Sequence, residues 1–288
     1  IQMTKIKAYF ELIRLDRPIG LYLLLWPTLW SLWLSHNEAP SIKLMLVFCL
    51  GVFVMRSAGC VINDIVDKDI DPQVQRTKTR PLANQSISLG EAYIVLFILL
   101  CVALILVLQL NMSVLLWSIC GLALTVLYPF CKRFISAPQL VLGFAFSWSI
   151  PMVYSAGGFI LDKGFVYLWL STVLWIVVYD TFYALVDKAD DLKIGVHSTA
   201  ILFGDSVGLI TGILQLLVLA LWVMVGITSG LGPFYFCSLV LAAALFIRQQ
   251  FLIRSSNPEQ IFKAFAENNY VGLCVFFGIF TGLLFGSH

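Results

Sequence analysis

The sequence has 288 residues, of which 60% are hydrophobic and only 12% are charged, and its mean hydropathy is +0.93. This composition is typical of a polytopic membrane protein and argues against ordinary soluble domains of the same length. The net charge of +2 and its distribution do not favour nucleic acid as a partner, and we expect none. The seven cysteines contain no C-x-x-C pair, so they predict neither a disulfide framework nor a zinc site.

The chain opens with a basic, amphipathic segment, residues 1–17, which we interpret as a helix on the membrane surface. Apolar runs of about membrane-crossing length follow it. We predict nine spans, at residues 19–35, 42–62, 91–110, 113–128, 139–157, 165–186, 207–228, 233–247 and 270–285. The predicted fold is therefore all-α, a bundle of nine transmembrane helices forming a single membrane-embedded domain over residues 1–288.

The distribution of Lys and Arg along the chain predicts the orientation of these spans. With the N-terminus placed in the cytoplasm, all but three of the 18 Lys and Arg residues fall on the cytoplasmic side. The exceptions are Lys43 and Lys163, which fall outside, and Arg56, which lies within the second span. This bias favours a cytoplasmic N-terminus and an external C-terminus. It also places the two longest polar segments, residues 64–90 and 187–206, on the same face of the membrane.

The first dense group of acids follows the second span, at residues 63–71 (NDIVDKDID). If the helix continues into this stretch, Asn63, Asp67 and Asp71 recur every four residues and share one face. Stacked carboxylates at a membrane boundary repel one another and are costly to desolvate, so we expect a cation among them. Mg²⁺ is the natural candidate, because it prefers a few carboxylates together with water and phosphate oxygens. A solvated acidic loop is the plainer alternative.

A second group of acids at the end of the sixth span favours the metal site. Asp180, Asp187 and Asp191 are spaced by seven and four residues, so they form one helical stripe with Tyr183 between them. Asp180 lies about two turns deeper than Asp187 and is either a hydrogen-bond acceptor in helix packing or a catalytic group. With Asp190, which lies off the stripe, the two groups together contain half of the 16 acidic residues of the chain.

Basic residues follow each group of acids. Arg76 and Arg80 come after the first group, and Lys193 comes after the second. Alternating acids and bases at one membrane face suit a metal–diphosphate complex, in which carboxylates hold Mg²⁺ and cations meet the free phosphate oxygens.

Three other polar residues allow simpler interpretations. Arg56 lies inside a span, where it either pairs with an acid or points at an anionic substrate. Lys132 is interpreted as a residue that only fixes membrane topology. His197 is interpreted as an ordinary loop residue.

These stretches resemble a known family, the UbiA-type intramembrane aromatic prenyltransferases. Residues 63–71 with residues 76–82 (RTKTRPL) resemble its first signature, and residues 179–191 (YDTFYALVDKADD) resemble its second. Residues 16–20 (DRPIG), 25–28 (LWPT) and 143–152 are similar to the branch that uses 4-hydroxybenzoate. The resemblance runs from about residue 14 to residue 204 and, more loosely, through the remaining spans.

The resemblance implies a nine-helix bundle with a lipid-accessible central cavity, covered by a cytoplasmic cap made of the segments 64–90 and 187–206. The implied activity is Mg²⁺-dependent transfer of a polyprenyl chain from polyprenyl diphosphate to 4-hydroxybenzoate, at the ring carbon ortho to the hydroxyl. This step releases diphosphate and belongs to ubiquinone biosynthesis. The implied location is the lipid bilayer of a bacterial inner membrane, with a cytoplasmic active site and no obligate protein partner.

The match also implies roles for individual residues. The implied metal ligands are Asn63, Asp67, Asp71, Asp187 and Asp191. The implied diphosphate-binding residues are Lys68, Arg76, Arg80 and Lys193. The carboxylate of the acceptor would be held by Arg133 or Arg56, and Arg133 joins Asp67, Asp71, Asp187 and Asp191 in the catalytic set. Asp64, Asp180 and Tyr183 are further site residues. Lys68 stands where some relatives carry arginine, so the positive charge is kept but the bidentate fork is not.

Two alternatives remain open at this point. A sister prenyltransferase would use a naphthoate or a haem acceptor with the same metal chemistry. A nine-span transporter of an anionic solute would instead use Asp180 and Arg56 as a coupled pair and would need neither Mg²⁺ nor diphosphate release.

Overall fold

The computed structural model describes residues 2–35, 39–158, 162–255 and 257–285, so residue 1 of the N-terminal segment lies outside the described residues. All regular structure within these ranges is helical, which confirms the all-α class. The α-helices are α1 (Gln2–Leu12), α2 (Ile19–Leu34), α3 (Ile42–Val66), α4 (Leu89–Val107), α5 (Met112–Cys131), α6 (Pro138–Ser147), α7 (Ser149–Ala156), α8 (Lys163–Ile194), α9 (Thr199–Leu202), α10 (Val207–Thr228), α11 (Pro233–Ile253), α12 (Pro258–Ala266) and α13 (Asn268–Leu284).

The predicted apolar runs all fall on these helices, with the fifth run divided between α6 and α7 at Trp148. In the described part of the chain, six helical segments are long and apolar enough to cross a membrane. They lie at α3, α4, α5, α8, α10 with the preceding turn, and α11. The helices α2 and α13 contain 16 and 17 residues, and α6 and α7 are shorter still. The protein is thus an integral membrane protein, and the count of nine spans stays a prediction.

Several helix starts are set by capping side chains that are visible in the sequence. Ser88 and Glu91 form a capping box at the start of α4, and Asn111 accepts from the amide of Val114 at 3.0 Å at the start of α5. Asp162 accepts from the amide of Phe165 at 2.8 Å and begins α8. These side chains satisfy amides that a helix start leaves unpaired.

The helix α8 is the central element of the bundle. Within its apolar window, 67% of the residues are buried inside the protein, compared with 11% for α4. Trp175 on α8 contacts Trp30 on α2 and Trp222 on α10, with ring centroids 5.2 and 6.2 Å apart. A mostly buried helix presents much of its surface to other helices or to an internal cavity, whereas α4 turns most of its surface outwards. This burial makes α8 a rigid support for the second acidic motif.

The two polar segments differ from their predicted form. The helix α3 ends at Val66, Asp67 is its C-cap, and Asp71 begins a short 3₁₀ helix. The expectation of one continuous helical face for Asn63, Asp67 and Asp71 is therefore wrong. The physical reason is Pro72, because a proline is not tolerated in the interior of an α-helix and disfavours the helical conformation of the residue before it, Asp71. Conversely, α8 continues to Ile194, so residues 187–194 are helical and the predicted loop begins only at Gly195, in the left-handed conformation with φ 72°.

Candidate active site

A cavity of about 540 Å³ opens where the C-terminal ends of α3 and α8 meet, with α2, α5, α6 and α12 completing its walls. It is lined by residues from both acidic motifs, although they are far apart in the chain. The predicted site residues that line it are Asn63, Asp64, Asp67, Asp71, Arg76, Arg80, Arg133, Arg56, Asp180, Tyr183, Asp187 and Asp191.

Arg76 joins the two motifs directly. Its Nε donates to Asp187 Oδ1 at 2.8 Å and its Nη2 to Asp187 Oδ2 at 2.5 Å, which is a bidentate pair. Its Nη1 donates to the hydroxyl of Tyr183, one turn away on α8. The amide of Gln75 also donates to Asp190 Oδ2 at 3.3 Å. The segment after the first motif is thus bound to the second motif.

A second set of charges lies on the other side of the cavity. Arg80 donates to both oxygens of Asp71, at 2.8 and 3.0 Å, and lies 3.3 Å from Asp64. Asp64 also accepts two bonds from Arg14, at 2.6 and 2.9 Å. Burial raises the pKa of Asp71 above its ordinary value, whereas Arg80 acts to lower it. Arg14 was not among the predicted site residues, and its only sequence signal is its place two residues before the DRPIG stretch.

Asp67 is paired by two neighbouring cations at the end of α5. Lys132 Nζ lies 3.5 Å from Asp67 and donates to Asn63 Oδ1 at 3.3 Å. Arg133 lies 3.9 Å from Asp67, donates to the carbonyl of Val66 at 2.9 Å, and keeps 40% of its side chain exposed. The interpretation of Lys132 as a residue that only fixes topology is therefore wrong, because its side chain lies within the cavity.

His197 lies in the loop between α8 and α9, as predicted, and it also lines the cavity. Its amide donates to the carbonyl of Lys132 at 2.9 Å, which ties the segment after α8 to the end of α5. The neighbouring Ser198 caps α9, and the amide of Thr199 donates to Gln139 at 2.9 Å. These bonds close one side of the cavity. No sequence pattern indicated this contact, because its two partners are separated by more than sixty residues.

We call Asp64, Asp67, Asp71 and Asp187, together with the cations that pair them, the charged mouth of the cavity. Arg56 lies apart from it, seven residues and about 10 Å before Asn63 along α3. The Nε of Arg56 is shielded from solvent and has no hydrogen-bond partner, and neither has the buried hydroxyl of Tyr179. We call Arg56, Tyr179 and Asp180 the inner end of the cavity.

Gly20 on α2 makes room for the Arg56 side chain. A Cβ atom at position 20 would overlap the guanidinium of Arg56 at Nη2, Nε and Cζ. Among the described residues, no carboxylate lies within the 4.0 Å of Arg56 that defines an ion pair, and this includes Asp180. The coupled Arg56–Asp180 pair that a transporter would need is thus not formed.

Two predicted diphosphate-binding residues lie away from the cavity. Lys68 is 44% exposed and pairs with Asp69 at 3.0 Å, and Lys193 is 74% exposed and pairs with Asp190 at 3.2 Å. Lys193 follows Asp191 by two residues, about 200° around the helix, so it points away when Asp191 faces the cavity. The structure brings neither lysine to the other site residues.

The donor chemistry of the mouth fits a divalent metal ion. Carboxylate and amide oxygens from both motifs face one cavity, and these are the ligands that Mg²⁺ prefers. Over the residues with assigned structure, no three His, Cys, Asp or Glu side chains form a ready-made metal cluster. Instead Arg76, Arg80 and Lys132 neutralise the acids. An arriving metal ion would therefore replace these cations as the partner of the acids.

Known proteins share both the sequence pattern and this architecture. Residues 24–280 match the model of the UbiA prenyltransferase family. A 4-hydroxybenzoate octaprenyltransferase of Saccharophagus degradans is 50% identical over 277 residues, covering 96% of this chain and 93% of that protein. The apo structure of a UbiA homologue from Aeropyrum pernix K1 has a TM-score of 0.78 at 24% identity, covering 91% of this chain and 96% of that one.

A UbiA homologue from Archaeoglobus fulgidus, bound to GPP and Mg²⁺, has a TM-score of 0.72 at 18% identity, covering 94% of this chain and 99% of that one. At these identities the two solved structures show a shared fold, and the family match with the 50% identical relative shows descent. The chain belongs to the UbiA prenyltransferase family.

Proposed function

We propose that this protein transfers a polyprenyl chain from polyprenyl diphosphate to 4-hydroxybenzoate, in a step of ubiquinone biosynthesis. The new bond joins the first prenyl carbon to the ring carbon ortho to the hydroxyl, and diphosphate leaves. The observation that carries the proposal is the bidentate bond from Arg76 to Asp187, which brings the two acidic motifs to one cavity. The relative in Saccharophagus degradans, named for this acceptor, supports the choice of 4-hydroxybenzoate.

The mouth is the proposed place of the diphosphate and its metal ions. Asn63, Asp67 and Asp71 from one motif, with Asp187 and Asp191 from the other, would hold Mg²⁺. When bound, Mg²⁺ takes up negative charge that develops on the departing diphosphate. The ligand of the homologue from Archaeoglobus fulgidus, GPP with Mg²⁺, supports this pairing of metal and prenyl diphosphate.

The cations of the mouth would bind the remaining phosphate oxygens. Arg76 makes a bidentate pair with Asp187 through two nitrogens, and a diphosphate oxygen pair presents the same geometry. Arg80 donates from one nitrogen, Nη1, to both oxygens of Asp71 and could donate to a phosphate oxygen in the same way. Lys132 supplies a point charge beside Asn63 and Asp67. We propose that the carboxylates turn to the metal ions while these three cations turn to the diphosphate. Lys68 and Lys193 lie outside the cavity and have a weaker claim to this role.

The inner end is the proposed place of the aromatic acid. Arg56 and Arg133 were both candidates for its carboxylate. Arg133 is engaged by the carbonyl of Val66 and is largely exposed, whereas Arg56 has a shielded nitrogen without a partner. A buried guanidinium nitrogen without a hydrogen-bond partner is costly, and a carboxylate would offset that cost. We therefore assign the benzoate carboxylate to Arg56.

The rest of the cavity would guide the chemistry. Apolar walls from Leu23, Leu142 and Phe146 exclude water from the allylic carbon once its bond to oxygen weakens. The rings of Tyr179 and Tyr183 face the same space and can stabilise positive charge on that carbon. The phenol ring then attacks, and a carboxylate of the mouth or the departing diphosphate accepts the ring proton.

The arrangement in the membrane follows from the charge bias. We propose nine spans with α6 and α7 together as one, a cytoplasmic N-terminus, and α1 on the surface of a bacterial inner membrane. The mouth then faces the cytoplasm, where the segments 64–90 and 187–206 form a cap. Cysteine labelling from either side of the membrane at an exposed position of each segment tests this orientation.

The decisive experiment uses the purified protein with 4-hydroxybenzoate, a prenyl diphosphate and Mg²⁺. We expect Asp67→Asn and Asp187→Asn each to lower the rate by about 100-fold or more, because each removes a carboxylate proposed to bind metal. The matched control is Asp69→Asn, in the same motif, whose side chain is 82% exposed and pairs with Lys68. Chelation of divalent metal by EDTA should abolish the activity and added Mg²⁺ should restore it.

The same assay separates the alternatives. Equal product from the Asp67→Asn, Asp187→Asn and wild-type proteins would contradict the metal-binding role of these acids. Prenylation of a naphthoate or a haem precursor in preference to 4-hydroxybenzoate would instead identify a sister enzyme. Flux of an anionic solute across vesicles, without Mg²⁺ and without diphosphate release, would support a transporter.

A further inference from the structure

Arg14 follows α1 and has a left-handed backbone conformation, which residues other than glycine rarely adopt. Its φ is 58°, and the amides of Arg14 and Leu15 donate to the carbonyls of Glu11 and Phe10 at 3.1 and 3.0 Å. This pair of bonds is a Schellman helix end, whose left-handed position is most often glycine. An arginine where glycine would fit with less strain indicates that the side chain itself has a use.

The side chain of Arg14 compensates a deeply buried acid. Its Nη2 donates to both oxygens of Asp64, at 2.6 and 2.9 Å, while its Nη1 donates to the carbonyl of Glu11 at 2.6 Å. The Asp64 side chain is only 1% exposed. A buried carboxylate is costly unless it is paired, so Asp64 depends on this ion pair with Nη2 of Arg14.

Asp64 also lies close to Arg80, which forms an ion pair with Asp71. The Nη1 of Arg80 lies 3.3 Å from Asp64 and 2.8 Å from the nearer oxygen of Asp71. Two arginines, Arg14 and Arg80, therefore neutralise two acids, Asp64 and Asp71. Without Arg14, Asp64 and Asp71 would compete for one guanidinium, and Arg80 would be drawn towards Asp64 because that acid is the less solvated of the two.

We infer that Arg14 is a positioning residue for the prenyl diphosphate: it satisfies Asp64 and so leaves Arg80 able to turn from Asp71 to the diphosphate. The inference rests on the proposed function, because that function places the diphosphate beside Arg80. In this role Arg14 acts through Asp64 and does not bind the ligand itself.

The test measures binding without turnover. The full-length protein is titrated with a non-cleavable prenyl thiodiphosphate in the presence of Mg²⁺, and the Kd is measured by calorimetry. We expect Arg14→Gly, which suits the left-handed backbone but lacks the side chain, to raise the Kd roughly tenfold, as loss of one partner in a shared charge network does. Arg14→Lys should give a Kd between those of the wild type and Arg14→Gly, because a lysine keeps the positive charge but lacks the second nitrogen that bonds the carbonyl of Glu11. Lys7→Gln on α1, whose side chain is 76% exposed, is the control and should bind as the wild type does.

A double substitution distinguishes positioning from direct contact. In an Asp64→Asn protein there is no buried charge for Arg14 to compensate, so adding Arg14→Gly should change the Kd by less than about twofold. This double variant also shows that the turn tolerates glycine. In turnover assays, the KM for prenyl diphosphate should rise in Arg14→Gly while the KM for 4-hydroxybenzoate stays constant.

Three outcomes would contradict the inference. Wild-type affinity in Arg14→Gly would show that the side chain has no role in binding. An equal loss in the Asp64→Asn background would show that Arg14 contacts the ligand directly. Absence of binding by the wild-type protein would overturn both the inference and the proposed function. A wild-type protein that binds the thiodiphosphate but does not prenylate 4-hydroxybenzoate would contradict the proposed reaction alone, and the Arg14 comparison would still stand.

Discussion

The mouth and the inner end of the cavity differ in whether their charged side chains are paired. In the mouth, Asp64, Asp71 and Asp187 are bound by arginines and Asp67 lies beside Lys132. At the inner end, Arg56 has a shielded nitrogen without a partner, although it lies only about two helical turns from Asn63.

This difference defines what each region can bind. A neutralised network gains little from a simple ion, because any new partner must break an existing pair. It suits a ligand that brings positive and negative charge together, such as a metal ion with a diphosphate. Each acid can then exchange its cation for the metal ion, and each base can exchange its acid for the diphosphate. A lone guanidinium suits a small anion such as a benzoate carboxylate. The two regions thus match the two substrates of the proposed reaction.

The largest expected effect on catalysis comes from removing the Arg76 side chain, which joins the two acidic motifs in the mouth. We expect Arg76→Gln to lower kcat/KM for prenyl diphosphate by roughly 100- to 1,000-fold, because it leaves Asp187 unpaired and removes a bidentate phosphate donor, a loss of about 3–4 kcal/mol. Steady-state kinetics at saturating 4-hydroxybenzoate measures this. Lys78→Gln, an exposed residue two positions along, is the control. Equal losses in both variants would show that the effect is not specific to the bridge between the motifs.

An intermediate effect is expected at Arg56. We expect Arg56→Gln to raise the KM for 4-hydroxybenzoate roughly 30-fold, from loss of a charge-assisted hydrogen bond of about 2 kcal/mol. The KM for the prenyl diphosphate should not change. The neutral acceptor 4-hydroxybenzamide sharpens the comparison, because its KM should be similar in the variant and the wild type. A matching change for both acceptors would show that Arg56 does not recognise the carboxylate.

The smallest effect is expected at Gly20, which lies against Arg56. We expect Gly20→Ala to raise the KM for 4-hydroxybenzoate several-fold, about 1 kcal/mol, because the added methyl displaces a flexible guanidinium without removing it. Gly51→Ala on α3 is the matched control, since nothing lies within 4 Å of its added Cβ. A larger effect on the KM for prenyl diphosphate than on that for the aromatic acid would contradict the separation of the two regions.

Much of the fold could be predicted from local patterns in the sequence. Every predicted apolar run except the fifth coincides with one helix, and the fifth is divided between α6 and α7. The agreement arises because hydrophobic content and capping residues such as Ser88 and Asn111 act within one segment. Helix ends were less predictable. The helix α8 continues to Ile194, and Gly195 marks its end better than the change from apolar to polar residues does. The helix α3 stops at Val66, between the change to polar residues at Asn63 and the helix-breaking Pro72.

In the candidate site, too, some residues could be predicted from local sequence patterns and others could not. The spacing of Asp180, Asp187 and Asp191 identified one face of α8, since a helix determines which of its own residues lie together, and all three line the cavity. The lysines were less predictable, because each lies beside the motif in sequence whether or not it faces the cavity. Lys132 was interpreted as a residue that only fixes topology and Lys193 as a diphosphate-binding residue. In the structure Lys132 lines the cavity beside Asp67, whereas Lys193 pairs with Asp190 outside it.

By itself, the sequence determined the class of protein, the helices and the two groups of acids, because these depend on composition and on spacing within one helix. Only the tertiary structure decided which cation pairs with which acid, and that the buried Nε of Arg56 has no hydrogen-bond partner among the described residues. Arg76 and Asp187 are 111 residues apart, and Arg14 and Asp64 are 50 apart. Electrostatic pairing depends on distances in space, and those exist only once the helices have packed.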